Sequence, residues 1–115
     1  MSTVMILNDA PYGSERVYNG LRLAGSLARK GVAIRLFLMG DSALAAKSGQ
    51  KVPPGYYNVQ NMVSAVTRHG GEVAVCGTCL DARGIGEGEL MEGARRSTLE
   101  ELTAWVAEAE KVLTF

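Results

Sequence analysis

Short unbroken apolar runs alternate along the chain with longer stretches whose apolar residues recur every three or four positions. Thr3 to Leu7 is apolar without polar alternation, the pattern of a strand covered on both faces. Val17, Leu21, Ala24 and Ala28 follow at helical spacing, with Ser14 placed to cap that helix and Lys30-Gly31 to end it. Val32 to Met39 is a second strand, and Asp41 or Ser42 can cap a short helix over Ala43 to Ser48. Gly49 to Tyr57 holds two prolines and two glycines and suits a mobile flap. Asn58 then caps a helix carrying Val59, Met62, Val63 and Val66, closed by Gly70-Gly71.

Glu72 to Val75 is a third strand, and Leu90 to Arg95 holds a short fourth one. Ser97 with Glu100 fits a capping box for a last helix. Its core face is Leu99, Leu102, Val106 and Ala109, with Trp105 alongside, and Lys111 to Phe115 is a final strand. The order β-α-β-α-α-β-loop-β-α-β predicts one α/β domain over residues 1–115. It is a three-layer α/β/α sandwich on a mostly parallel sheet. No internal repeat, low-complexity tract or domain boundary interrupts it.

Composition narrows the classes. The 115 residues are 47% hydrophobic and 21% charged, enough apolar surface for an ordinary core. Twelve basic residues cancel twelve acidic ones, so no net field draws the chain to nucleic acid or to an anionic membrane. The first residues lack the basic leader and apolar run of a signal peptide, and no run reaches the ~20 residues of a membrane span. A cytoplasmic location is therefore expected, where thiols stay reduced.

Against that background the stretch from Val73 to Ile85 stands out. The only two cysteines, Cys76 and Cys79, sit three residues apart where the third strand ends, with Gly77 and Thr78 between them and Arg83-Gly84 beyond. Gly77 would let the backbone turn into a loop at the carboxyl edge, where open parallel sheets collect ligands. Two readings compete: a functional thiol, its thiolate favoured by Arg83, or small buried hydrophobes with Arg83 in a surface pair with Asp81 or Glu87. A thioredoxin-type site fits poorly, because the motif follows the third strand and no proline lies after Pro54. Two cysteines and one histidine are too few for the ~4 ligands of a structural zinc site, so no metal is expected within one copy.

Other candidates are weaker. His69, before Gly70-Gly71, suits the carbonyls of a helix end. Gly84-x-Gly86-x-Gly88 is not a dinucleotide fingerprint, no Walker A motif is present, and no cofactor is expected. Asn8, Asp9 and Asp41 lie at carboxyl ends of the first two strands and could share an edge with Cys76, or serve as turn formers and caps. Tyr12, Tyr56 and Tyr57 could roof a pocket or form an oligomer contact. Asn8, Asp9, Tyr12, Gly77 and Thr78 make the candidate cleft.

In order along the chain, Asn8-Asp-Ala-Pro-Tyr-Gly-Ser-Glu-Arg16, Phe37-Leu-Met-Gly-Asp41, Cys76-Gly-Thr-Cys79-Leu-Asp-Ala-Arg83-Gly84-Ile85 and Val112-Leu-Thr-Phe115 form a set. With these phrases the whole chain resembles the DsrE/DsrF-like sulfur-relay family, specifically its small YchN-like members. The resemblance implies a flavodoxin-like sandwich and a homo-oligomer, commonly a trimer or hexamer. It also implies a cysteine at this strand end that carries persulfide sulfur between donor and acceptor proteins. Counting back from Arg83-Gly84, Cys76 holds that place, and Cys79 is an addition where relay subunits usually have a small residue.

The leading expectation is thus a cytosolic sulfur carrier. Cys76 accepts the sulfur, Arg83 favours its anion and Cys79 resolves the persulfide. Two others stay open: a non-catalytic oligomeric binding subunit, and a Cys76/Cys79 dithiol redox protein.

Overall fold

The computed structural model describes residues 2–115. Five strands, β1 (Ser2–Leu7), β2 (Ala33–Leu38), β3 (Glu72–Cys76), β4 (Ala94–Ser97) and β5 (Lys111–Thr114), form one sheet in the order β4-β3-β2-β1-β5. Every pairing in that sheet is parallel. Four helices connect them: α1 (Arg16–Arg29), α2 (Val59–Arg68), α3 (Gly77–Ala82) and α4 (Leu99–Glu108).

The chain builds outward from β1 to β4, then returns across the whole sheet to place β5 beside β1. Parallel crossovers are right-handed, so this reversal of direction sends α4 to the face opposite α1 and α2. The side chains agree. Met5, Leu7, Leu36, Leu38, Val73 and Val75 point to one face and pack with Val17 and Leu21 of α1 and Val59, Val63 and Val66 of α2. Val4, Phe37, Ala74 and Cys76 alternate to the other face, where Leu102 and Trp105 of α4 meet them. Complete burial of a side chain such as Leu36 stabilises by ~2 kcal/mol.

Charge finishes what apolar packing leaves open on the α4 face. The Arg35 and Arg95 guanidinium groups lie 5.4 and 5.6 Å from the Trp105 ring centroid, within cation–π range. Arg35 also pairs with Glu72 at 3.2 Å, and Arg95 with Glu101 at 2.6 Å. On the edge strand β4, Arg95 and Arg96 stand exposed, which discourages another sheet from adding there.

Several local expectations shift. The N-cap of α1 is Glu15, which makes no side-chain bond, not Ser14. The Ser14 hydroxyl donates to Asp9 and accepts a long bond, 3.4 Å, from the Arg16 amide in the first turn. The short helix after β2 is a 3-10 segment, Gly40–Ala46, and Ser42 donates to the Leu7 and Met39 carbonyls at 2.7 Å instead of capping it. The fourth strand begins at Ala94, not Leu90, because Leu90 bridges Lys47 and Met91 is buried in the α1/α2 layer. The last helix starts one residue late. Thr98 accepts from the Glu101 amide, while Ser97 is drawn into a hydrogen bond with the Glu101 carboxylate. The residues of α4 that face the sheet are Leu102 and Trp105, while Leu99 and Val106 are exposed.

Candidate functional site

β3 and β4 are neighbours whose outgoing connections pass on opposite faces. After β3 the chain turns to the α1/α2 face, where Leu80, Ile85 and Met91 are buried, whereas after β4 it enters α4. Such a divergence opens a crevice at the carboxyl ends of the two strands. A cavity of about 270 Å3 lies there, lined by Cys76, Gly77 and Thr78 from one strand end and Arg96, Ser97, Thr98 and Leu99 from the other. Phe37 and Met39 also line it. Register sets Cys76 directly opposite Ser97, and the two-residue alternation aims the Cys76 side chain into this layer.

The segment expected to be a loop is helical. Cys76 is the N-cap of α3, and its sulfur accepts from the Cys79 amide at 3.4 Å. This turn brings the two sulfurs to 2.6 Å, with both cysteines free. Thr78 Oγ1 lies 3.3 Å from Cys76 Sγ on another side. Gly77 is required for proximity and not for a left-handed turn. A Cβ there would sit 2.9 Å from the Ser97 carbonyl and 3.0 Å from the Arg96 guanidinium carbon.

The two thiols are driven apart in acidity. Burial pushes Cys76 up, but hydrogen bonds from the Cys79 and Thr78 side chains and amides outweigh it and hold Cys76 below an ordinary thiol. Burial raises Cys79, and donation to Cys76 raises it further, against the Gly40 amide and the Arg83 charge. The arrangement eases deprotonation of Cys76, with the Cys79 S–H placed to donate to it. Cys76 keeps only 9% of its surface exposed, yet it lines the cavity and so faces an approach route.

Arg83 is placed differently from expectation. Its guanidinium pairs with Asp41 at 2.7 and 3.0 Å and donates to the Cys79 carbonyl at 3.0 Å, so its charge acts on Cys79 rather than Cys76. The guanidinium beside Cys76 belongs to Arg96, which the motif reading did not single out. Arg96 grips Asp81 through two 2.8 Å bonds, and the Cys76 charge is among the causes that raise its pKa. Only strand register brings Arg96 there, and the Arg95-Arg96 pair two residues before a cap was the available signal.

The cleft candidates separate into two groups. Gly77 and Thr78 line the thiol cavity; Asn8, Asp9 and Tyr12 do not. Asn8 donates to the Phe115 carbonyl and fastens the last strand, while Asp9 accepts from Ser14 and faces Arg16. Tyr12 donates to Gln50 at 2.6 Å, accepts from the Val59 amide and stacks on Tyr57. Gln50 bonds in turn to the Leu44, Ala45 and Lys47 carbonyls. The supposed flap is therefore tied down at both ends. His69 Nδ1 lies 2.8 Å from the Ala65 carbonyl, the helix-end role expected of it. Among the described residues, no group of three or more His, Cys, Asp or Glu side chains could hold a metal. No helix among them is long and apolar enough to cross a membrane.

A parallel α/β domain with a paired-thiol cavity at its switch point is the class these features define. The DsrE/DsrF-like family model matches residues 1–115, and the chain belongs to that family. It is 45% identical over 114 residues to protein YchN of Escherichia coli K12, covering 97% of each chain. It is 36% identical over 115 residues to the uncharacterized protein MJ0989 of Methanocaldococcus jannaschii, covering 100% of each. The crystal structure of the E. coli ychN protein superposes with a TM-score of 0.94 at 44% identity, covering 100% of this chain and 99% of that one. A protein of unknown function from Methanobacterium thermoautotrophicum, MTH1491, has a TM-score of 0.79 at 17% identity with full coverage of both chains, a likeness of fold alone.

Proposed function

We propose that the protein is a sulfur carrier. The Cys76 thiolate attacks the outer sulfur of a persulfide donor, takes it as Cys76–S–S−, releases the donor thiol and later passes the sulfur to an acceptor protein. The supporting observation is the pairing of an acidified Cys76 with an open cavity at the strand-end crevice. A sulfur-accepting thiol needs anionic character and access together. Arg96 supplies the nearby positive charge that the sequence reading gave to Arg83. Incubating the Cys79→Ser protein with a persulfide donor should add one sulfur atom by intact mass, while Cys76→Ser gains none. No gain in Cys79→Ser rules the carrier out.

We also infer a homo-oligomer, a trimer or hexamer. Leu99 is 67% and Val106 40% exposed on one face of α4, and the chain has no net charge to oppose association. Leu99 also lines the thiol cavity, so a second copy on this face would help to enclose it. Light scattering should give a mass of three or six chains for wild type and a smaller one for Val106→Asp. A wild-type monomer would refute it.

A further inference from the structure

Cys79 touches the same sulfur as the cavity does, but it is not among the residues lining the cavity. Cys76 Sγ has Cys79 Sγ 2.6 Å away within α3, while Phe37, Met39, Arg96, Ser97, Thr98 and Leu99 line the space that incoming sulfur must use. A sulfur atom added to Cys76 therefore enters the cavity and lies away from Cys79. Displacement at a disulfide-type sulfur requires the attacking and departing atoms on opposite sides, and a cavity that Cys79 does not line is compatible with that alignment. The two sulfurs stand 2.6 Å apart, against ~2.05 Å in a closed disulfide.

We propose that this site discharges its bound sulfur as sulfide, with Cys79 attacking Cys76 Sγ and expelling the outer sulfur into the cavity. The proposal rests on the carrier reading for loading of Cys76, and replaces hand-over to an acceptor protein by release as sulfide when no acceptor is docked. In the discharge, a bond forms between Cys79 Sγ and Cys76 Sγ as the bond from Cys76 to the outer sulfur breaks. The outer sulfur leaves with the bonding pair, as hydrosulfide when the starting persulfide is anionic, and takes up the proton lost by Cys79. The cysteine pair supplies two electrons and ends as a disulfide. A small dithiol or a thiol–disulfide reductant must return them, giving back two thiols and the oxidised reductant.

Two features favour discharge over passive storage. Well-oriented intramolecular groups reach effective concentrations of up to roughly 10^5 M, far above any partner thiol. Loading also moves the negative charge one atom outward from Cys76, easing the two influences of that sulfur that hold Cys79 protonated. The reaction consuming this product takes free sulfide, and a disulfide reductase chemistry must run beside it.

The test uses the full chain, anaerobically, with one equivalent of glutathione persulfide, reading intact mass and sulfide in the protein-free filtrate against a no-protein control. Wild type should lose two hydrogens and release about one equivalent of sulfide, and dithiothreitol should restore further rounds. Cys79→Ser and Cys79→Ala should instead retain one added sulfur with no sulfide above control. A wild-type protein that keeps its added sulfur and releases no sulfide overturns discharge and leaves the carrier standing. If folded Cys79→Ser and Cys79→Ala both fail to gain sulfur, the carrier reading falls, and discharge with it.

Discussion

The two faces of the sheet are filled in different ways. Against α1 and α2 the sheet presents an unbroken apolar layer, Met5, Leu7, Leu36, Leu38, Val73 and Val75, meeting helices whose buried residues hold strict helical spacing. Against α4 it presents Val4, Phe37, Ala74 and Cys76, and one tryptophan between two arginines does much of the covering. The first face is closed and can only stabilise. The second stops short at the carboxyl end, and Cys76 sits where it stops. The proposed chemistry thus falls where packing is least complete, since a sealed core would exclude any donor.

Substitutions can break this division. Leu36→Ala, in the closed layer, should cost about 3 kcal/mol in denaturant unfolding and leave the alkylation rate of Cys76 in the folded protein unchanged. A changed rate would mean the faces are coupled through β2. Gly77→Ala should cost about 2 kcal/mol, because the Ser97 carbonyl it would meet is backbone and yields only if β4 moves. It should also alter Cys76 reactivity, which Leu36→Ala does not. Gly40→Ala, at φ +56, should cost about 1 kcal/mol while disturbing the amide that donates to Cys79 at 3.1 Å. Smallest, Arg96→Gln should leave stability nearly unchanged but slow Cys76 alkylation at neutral pH about threefold, with Arg83→Gln having less effect.

How much of this was legible in the sequence differs by face as well. The α1/α2 side was readable because Val17, Leu21, Ala24 and Ala28, and Val59, Val63 and Val66, are apolar at regular spacing. The α4 side was not, since Leu99 and Val106 are as apolar as Leu102, and it is packing of Leu102 and Trp105 on Val4, Phe37 and Ala74 that distinguishes the inward face. Cys76 and Cys79 could be found by spacing alone. Their helix could not, because a six-residue turn of Gly, Thr, Cys, Leu, Asp and Ala carries no periodic signal. Arg96 reaches the site only through the pairing of Cys76 with Ser97, a contact between segments about twenty residues apart in sequence. Asn8 and Asp9 lie at a carboxyl edge as expected, but β1 is separated from β3 by β2, and their partners are Phe115, Ser14 and Arg16.

In this account Cys76 is the acidified thiol facing the cavity and Cys79 its proton-holding neighbour, the more exposed of the two. Mass-resolved alkylation of the native protein with limiting iodoacetamide, repeated from acid to alkaline pH, tests it most directly. Cys76 should label first, with a rate that rises through a midpoint below that of an ordinary thiol, since its deprotonated form is the one favoured in the fold. Cys79→Ala should move that midpoint upward by removing the side-chain donor to Cys76. Preferential labelling of Cys79, or no labelling of either cysteine until the protein unfolds, would contradict the account.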